Sequence, residues 1–302
     1  MPVFSGARLV PRCFCDYPHS RGGSKTGFSA TMETLQMHRC ARSILLLLCI
    51  PAPVLAQLPF YTDDPAVTDR GKWHFEFFNE YDVLQLQYPS LRQNTANFKL
   101  NYGLPFNLEA DVDAPYLGIY RAIGTPNSFG NGDTNLGVKW EFHKESPGSL
   151  FPALGVSAYF EFPTGDPIQE LGSGLTDYWL NFIVQKSLSR KTRMNLNLGY
   201  LFAGNTATGD LGITKVRGHV FVGGVSLLHD FTSRLTLGAE VYGGYSNNED
   251  LGRSELQFMI GGQYQLREGL SLGFGVLGGR YVASPRIGGQ IGFAVDFPDV
   301  LR

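Results

Sequence analysis

The sequence predicts an all-β protein, a transmembrane up-and-down antiparallel β-barrel of about 12 strands. Three observations carry the prediction. Short stretches alternate apolar and polar side chains along nearly the whole chain, and a pleated strand sends alternate residues to opposite faces. No amphipathic helical pattern is available to cover the apolar faces. The connections between strands mostly alternate between long and short, as loops and turns at the two ends of a membrane barrel do.

The first 56 residues differ from the rest. From Met37, a basic start (His38, Arg39, Arg42) leads to an apolar run from Ile44 to Ile50, then to Val54-Leu55-Ala56 with small residues flanking a cleavage point. That is the pattern of a secretory signal peptide, and the run is too short for a spanning helix. Residues 37–56 are therefore read as signal, with Met32 or Met37 as the start, and residues 1–36 as upstream sequence without fold logic. All four cysteines (Cys13, Cys15, Cys40, Cys49) precede the cleavage point, which excludes disulfides and thiolate metal sites from the exported chain. The whole chain carries 25 Lys plus Arg against 27 Asp plus Glu. Cleavage removes six of the former and two of the latter, leaving 19 against 25, a net charge of −6. A net-negative chain without a basic cluster does not suit nucleic acid.

Taken in order, residues 57–71 form an irregular polar lead-in punctuated by Pro59 and Pro65, and the barrel occupies 72–302. The first strand covers 72–83, with Phe78 as an apolar exception on its polar face. A polar segment precedes the second strand (Ala96, Phe98, Leu100, Tyr102, Leu104), and Pro105-Phe106-Asn107 turns into the third (Leu108, Ala110, Val112). Residues 115–132 read as a long Gly/Pro/Asn/Ser loop. The second strand is the clearest, and the fourth, 132–142, separates as well: Leu136, Val138, Trp140 and Phe142 against Asp133, Asn135, Lys139 and Glu141. Strands five to seven follow around Leu154–Phe162, Tyr178–Gln185 and Met194–Phe202, separated by a glycine-rich loop at 163–175 and a turn at 189–191. The eighth, 216–228, is blurred by Gly223-Gly224; the ninth begins at Leu235, the tenth at Glu255, the eleventh at Leu270 and the twelfth spans 287–297. The chain holds 37 glycines, and their density within strand patterns implies curved sheet.

A soluble barrel buries its apolar set, whereas a membrane barrel turns that set to lipid. The export signal, the absent cysteines and the loop asymmetry select the second arrangement. Trp73, Tyr102, Trp140, Phe142 and Tyr264 then form one interfacial girdle and Tyr81, Phe162, Tyr200 and Phe202 the other. The polar set lines the lumen, with Glu76, Glu80, Lys99, Glu109, Asp111, Asp113, Lys139, Glu141, Glu161 and Glu240 as candidate lining residues. The tight turn after the second strand places Lys99 near Asp111 and Asp113. Such charges form either a cross-lumen ion-pair network that rigidifies the barrel or a selectivity surface.

Other chemistry finds little purchase. His74, His143, His219 and His229 remain after cleavage, without a His-x-Ser pair or dense metal-ligand spacing. His229-Asp230 falls in a turn, and Asp63-Asp64 reads as a solvated acidic lead-in. The Gly-rich stretches at 130–137 and 172–174 precede no helix, so a phosphate cradle is not expected. No cofactor or metal is expected.

Several segments in order resemble one family: Thr62-Asp63-Asp64-Pro65 with Gly71 and Glu76, Tyr102-Gly103-Leu104 with Leu108-Glu109, and Gly132-Asp133-Thr134-Asn135-Leu136-Gly137-Val138-Lys139. Phe162-Pro163-Thr164-Gly165-Asp166, Gly172-Ser173-Gly174-Leu175-Thr176-Asp177 and Asn197-Leu198-Gly199-Tyr200 continue the series. The chain resembles the MetA-type family of outer-membrane transporters associated with phenol meta-cleavage pathways. The resemblance implies a β-barrel that passes aromatic or other small organic compounds. It departs from the usual outer-membrane ending, because Pro298 to Arg302 extends beyond Phe297. The expected setting is the outer membrane of a Gram-negative envelope, with partners that are outer-membrane lipids, the barrel-assembly machinery and small organic solutes. Three readings stay open: a porin-like channel or transporter, an outer-membrane hydrolase built on barrel strands, and a ligand-holding barrel without throughput.

Overall fold

A computed structural model of the chain describes residues 58–85, 90–205, 216–245, 254–281 and 284–297. The strands are β1 (Trp73–Val83), β2 (Ser90–Leu104), β3 (Leu108–Arg121), β4 (Ser128–Asn131), β5 (Thr134–His143), β6 (Ala153–Phe162) and β7 (Asp177–Ser187). They continue as β8 (Thr192–Asn205), β9 (Val216–Asp230), β10 (Leu235–Tyr245), β11 (Ser254–Arg267), β12 (Leu270–Gly279) and β13 (Ile287–Phe297). Successive strands pair antiparallel, and β13 returns to β1, so the sheet closes on itself. Both β4 and β5 lie along β3, at Tyr116–Ile119 and Leu108–Asp113 respectively. They are one stave broken at Gly132-Asp133, and the closed barrel has 12 staves. The all-β barrel read from the sequence is thus the observed fold.

Two expected connections belong to the wall. β2 begins at Ser90, within the expected polar segment, and the expected loop 115–132 is mostly the continuation of β3 and the whole of β4. Pro115 suggested a loop because it has no N–H to donate to a ladder. Its carbonyl accepts from Gly132 N at 2.8 Å, so its nitrogen faces the same side, where the stave is interrupted and no ladder donor is required. β9 runs through Gly223-Gly224 without a register shift and takes in His229-Asp230, which is strand rather than turn. His229 Nδ1 lies 2.9 Å from Thr192 Oγ1. The upstream and signal segments, the loops at 206–215 and 246–253 and the tail after Phe297 lie outside the described residues.

The faces are inverted relative to a soluble barrel. Along β5, Val138 and Trp140 are 48% and 46% exposed on the outside, while Lys139 between them is 1% exposed on the inside. Aromatic pairs mark both rims: Trp73 against Tyr102 and Trp140 against Phe142 at the end that carries β1's start and β13's end, and Tyr178 against Phe202 and Tyr200 against Phe221 at the other.

Candidate functional site

The lead-in is not a solvated tail. Its last residues dock on β2, where Gly71 N donates to Gly103 O (2.8 Å) and Gly103 N to Lys72 O (3.1 Å). A Cβ on Gly103 would lie 2.1 Å from the Asp69 carbonyl oxygen, so only glycine lets the chain pass this close to the wall. Residues 58–68 then run through the barrel interior, held by wall side chains that reach their backbone. Glu109 Oε2 accepts from Thr68 N (2.6 Å), and Asn197 makes a reciprocal pair with Asp63, accepting from its N (2.6 Å) and donating to its O (2.9 Å). Glu240 accepts from Tyr61 N (3.1 Å), Thr62 N (2.5 Å) and Thr62 Oγ1 (2.6 Å). Tyr61 OH donates to both oxygens of Glu80, at 2.8 and 2.7 Å. The reading of Asp63-Asp64 as solvated is therefore corrected: Asp63 points at Lys139 Nζ (3.3 Å), and Asp64 accepts from Ala66 N (2.9 Å).

The interior has two unlike walls. One, from β1 to β6, carries the charges. Lys139 lies between Asp63 and Glu109, whose Oε1 is 3.4 Å from its Nζ, and Lys99 stands opposite Asp113 in register, beside Asp111 opposite Asn101. Tyr159 OH donates to Asp111 Oδ2 at 3.0 Å, its ring lying across Gly137, where a Cβ would come within 2.1 Å of the ring. His74 Nδ1 faces Asp296 (2.6 Å) and Nε2 faces Glu76 (3.0 Å), an arrangement that suits an imidazolium donating from both nitrogens. Glu141 pairs with Lys144 at the end of β5, and Glu161 stands opposite Asn135 and Asp177 on β6, so these two lie apart from the central group. Glu80 on β1 and Glu240 on β10, also expected in the lining, grip the crossing segment.

The second wall, from β10 to β13, is bare at its centre and bordered by polar side chains such as Glu240, Gln263 and Gln290. Gly238, Gly261 and Gly275 lie side by side in register, with Gly273 one inward position along. Leu228, Met259 and Leu277 border them and bury Phe60. Each glycine leaves room for the lead-in: added Cβ atoms would meet Leu58 at 2.7 Å from Gly273, Pro59 at 2.8 Å from Gly261 and Phe60 at 3.1 Å from Gly238. Leu58-Pro59-Phe60 thus lies in an apolar slot, and the polar residues after it lie against the charged wall.

Between the crossing segment and the wall remains a cavity of about 210 Å³. Tyr61, Tyr159, Trp179 and Tyr242 present rings to it, and Asn135, Asn181 and Asn197 present amides. At the end away from the chain's entry, the segment 163–175 folds back on the wall. Asp133, at the break in the stave, accepts from Gly165 N (2.9 Å) and Ser173 N (2.6 Å). Leu171 packs on Leu117 and Ile119, and Arg121 binds Glu170 (3.0 Å) and the carbonyl of Gln169 (3.0 Å). Three stretches singled out in the sequence, at 132–137, 162–166 and 172–177, converge here.

A family model described as "Putative MetA-pathway of phenol degradation" matches residues 62–297. The chain belongs to this family. The match begins within the crossing segment and ends with β13, so the family unit includes most of both barrel and lead-in. Among solved structures, an outer membrane channel from Pseudomonas putida F1 is similar with a TM-score of 0.63 and 13% identity, covering 78% of this chain and 98% of that one. The NanC porin is similar with a TM-score of 0.52 and 11% identity, covering 74% of this chain and 100% of that one. At such identities the likeness is one of fold, and the fold is that of outer-membrane barrels. No curated protein matches the chain. This member of the family is an outer-membrane β-barrel.

Proposed function

We propose that the protein is a channel or transporter that passes small organic solutes, aromatic ones among them, and that segment 58–68 controls the passage. One observation carries the reading. Beyond the bridge between Arg70 and Gly103, the segment is held inside the barrel by side chains and ring contacts rather than by strand pairing. It can leave its seat without breaking a ladder of the wall, whose stability is separate. The remaining cavity supports the solute class, since its rings offer stacking faces and its amides a donor or acceptor for one polar substituent. The charged wall serves two ends in this reading. Lys139 and Glu109 seat the segment, the former through Asp63, whereas Lys99 and Asp113 line the cavity as selectivity groups and Asp111 holds the Tyr159 hydroxyl there.

A hydrolase on the strands gains no support from the histidines. His74 is engaged by two carboxylates, His143 by the Pro152 carbonyl and His219 by Tyr200. The test is electrical and chemical. The purified barrel should show discrete conductance steps in planar bilayers and admit monocyclic aromatics into proteoliposomes. Silence toward ions, sugars and aromatics alike, from a barrel shown to be folded, would sink the transport reading.

A further inference from the structure

The apolar slot on β10–β12 is out of keeping with its surroundings. A wet lumen has no need of Leu228, Met259 and Leu277 pointing inward beside bare glycine backbone, and exposing them to water is unfavourable. In this structure they are covered by the chain's own Leu58-Pro59-Phe60, with the Phe60 ring against the backbone of Gly238. A slot floored by glycine and walled by aliphatic side chains accepts a flat apolar ring, and the polar side chains nearest to it, Gln263 opposite Gly273 and Gln290 opposite Gly275, stand at its edge.

We infer that this slot is a solute subsite on the transport path, and that Phe60 occupies it as an internal stand-in for an aromatic ring of the solute. The inference rests on the transport reading for its purpose but not for its existence. A solute ring and Phe60 exclude one another, so binding of the solute favours the unseated segment, and apparent affinity scales with the fraction of time the slot is free of Phe60. Arrival of the right solute thereby releases its own barrier. Polar solutes gain nothing from the slot and leave the segment seated. The same linkage requires that loosening the segment through Glu240, which holds Tyr61 and Thr62 rather than Phe60, also strengthens solute binding.

The experiment uses the full barrel in lipid nanodiscs with 4-fluorotoluene as probe, followed by fluorine NMR, with empty nanodiscs correcting for partition into lipid. Phe60→Ala should tighten apparent binding by about tenfold or more, and Glu240→Ala should shift it in the same direction. Adding Gly238→Leu to Phe60→Ala fills the slot and should abolish the gain. Leu277→Asn in the Phe60→Ala background is the alternative should Gly238→Leu fail to assemble, because it makes the wall polar without adding bulk. Heat-modifiable mobility on gels reports that each barrel is closed. Unchanged binding in Phe60→Ala overturns the inference, as does a gain that survives both wall substitutions. Solute uptake measured on the same preparations separates the two ideas. Tightened binding without uptake removes transport and keeps the subsite, and uptake without tightening removes the subsite alone.

Discussion

Replacing Glu240 by alanine should unseat the crossing segment. The Glu240 carboxylate is 3% exposed and accepts three hydrogen bonds from two consecutive residues, Tyr61 N, Thr62 N and Thr62 Oγ1. A hydrogen bond to a charged acceptor contributes about 1.5–3 kcal/mol in a dry setting, and water entering the vacated space recovers part of it. Taking about 1 kcal/mol for each of the three gives roughly 3 kcal/mol lost from the seated state and none from the wall. At 1.4 kcal/mol per factor of ten, the ratio of seated to unseated segment falls by about a hundredfold. Single-channel recording in planar bilayers reads this ratio as the fraction of time spent in the lowest conductance level. Glu240→Gln, which keeps one carbonyl oxygen, should fall between wild type and Glu240→Ala. If Glu240→Ala folds to a closed barrel and its dwell times match those of wild type, the segment does not control conduction and the reasoning fails.

Gly103→Val should have a related effect by another route. Its side chain displaces the Asp69 carbonyl where the segment enters, so protease cleavage within 58–71 becomes faster while strand pairing along β2 persists. On the outside, Val138→Arg puts a charge into lipid near the middle of β5 and should lower barrel stability by about 2–4 kcal/mol in reversible urea unfolding. The same change at Asn181, beside the cavity, should alter conductance instead. In the 144–152 link, partial burial acts to raise the Glu145 carboxyl, but the Lys186 ammonium and the Ser187 N–H outweigh it and hold the group below its ordinary value of 4.5. A depressed carboxylate stabilises the link above that value and loses the contribution as pH falls through the lowered one. Protection of the Ser187 amide from hydrogen exchange should therefore decline in acid, and Glu145→Gln should remove the pH dependence; a titration midpoint at or above 4.5 would contradict this.

Much of the barrel was legible because a strand's period is two and the lipid demands one apolar face. In β5 that period alone separates Val138 and Trp140 from Lys139 and Glu141, and in β9 it survives the glycine pair that obscured it. Pro115 misled because the penalty for a missing N–H depends on what the neighbouring stave asks of it, and the break at Gly132-Asp133 is a property of two strands together.

The site was legible as a set of charges and not as a place. Glu76, Glu109, Lys139 and Glu240 fall on the polar face by parity, but parity does not tell which are joined across the interior or by what. Asn197, Glu80's hold on Tyr61 and the role of Asp63 all follow from a segment that carries no period at all. Its one hint was apolar content in a supposedly solvated lead-in, Leu58-Pro59-Phe60, together with glycines at inward positions of adjacent strands.

The sequence by itself therefore determined the wall: which residues alternate between its two faces and how many staves close the barrel. What fills that wall was decided only in three dimensions. Hydrophobic alternation is a local constraint imposed residue by residue by the solvent outside, whereas the seat of residues 58–68 depends on Gly238, Gly261 and Gly275 coming into register on separate strands and on Glu240 reaching a backbone 178 residues away in sequence.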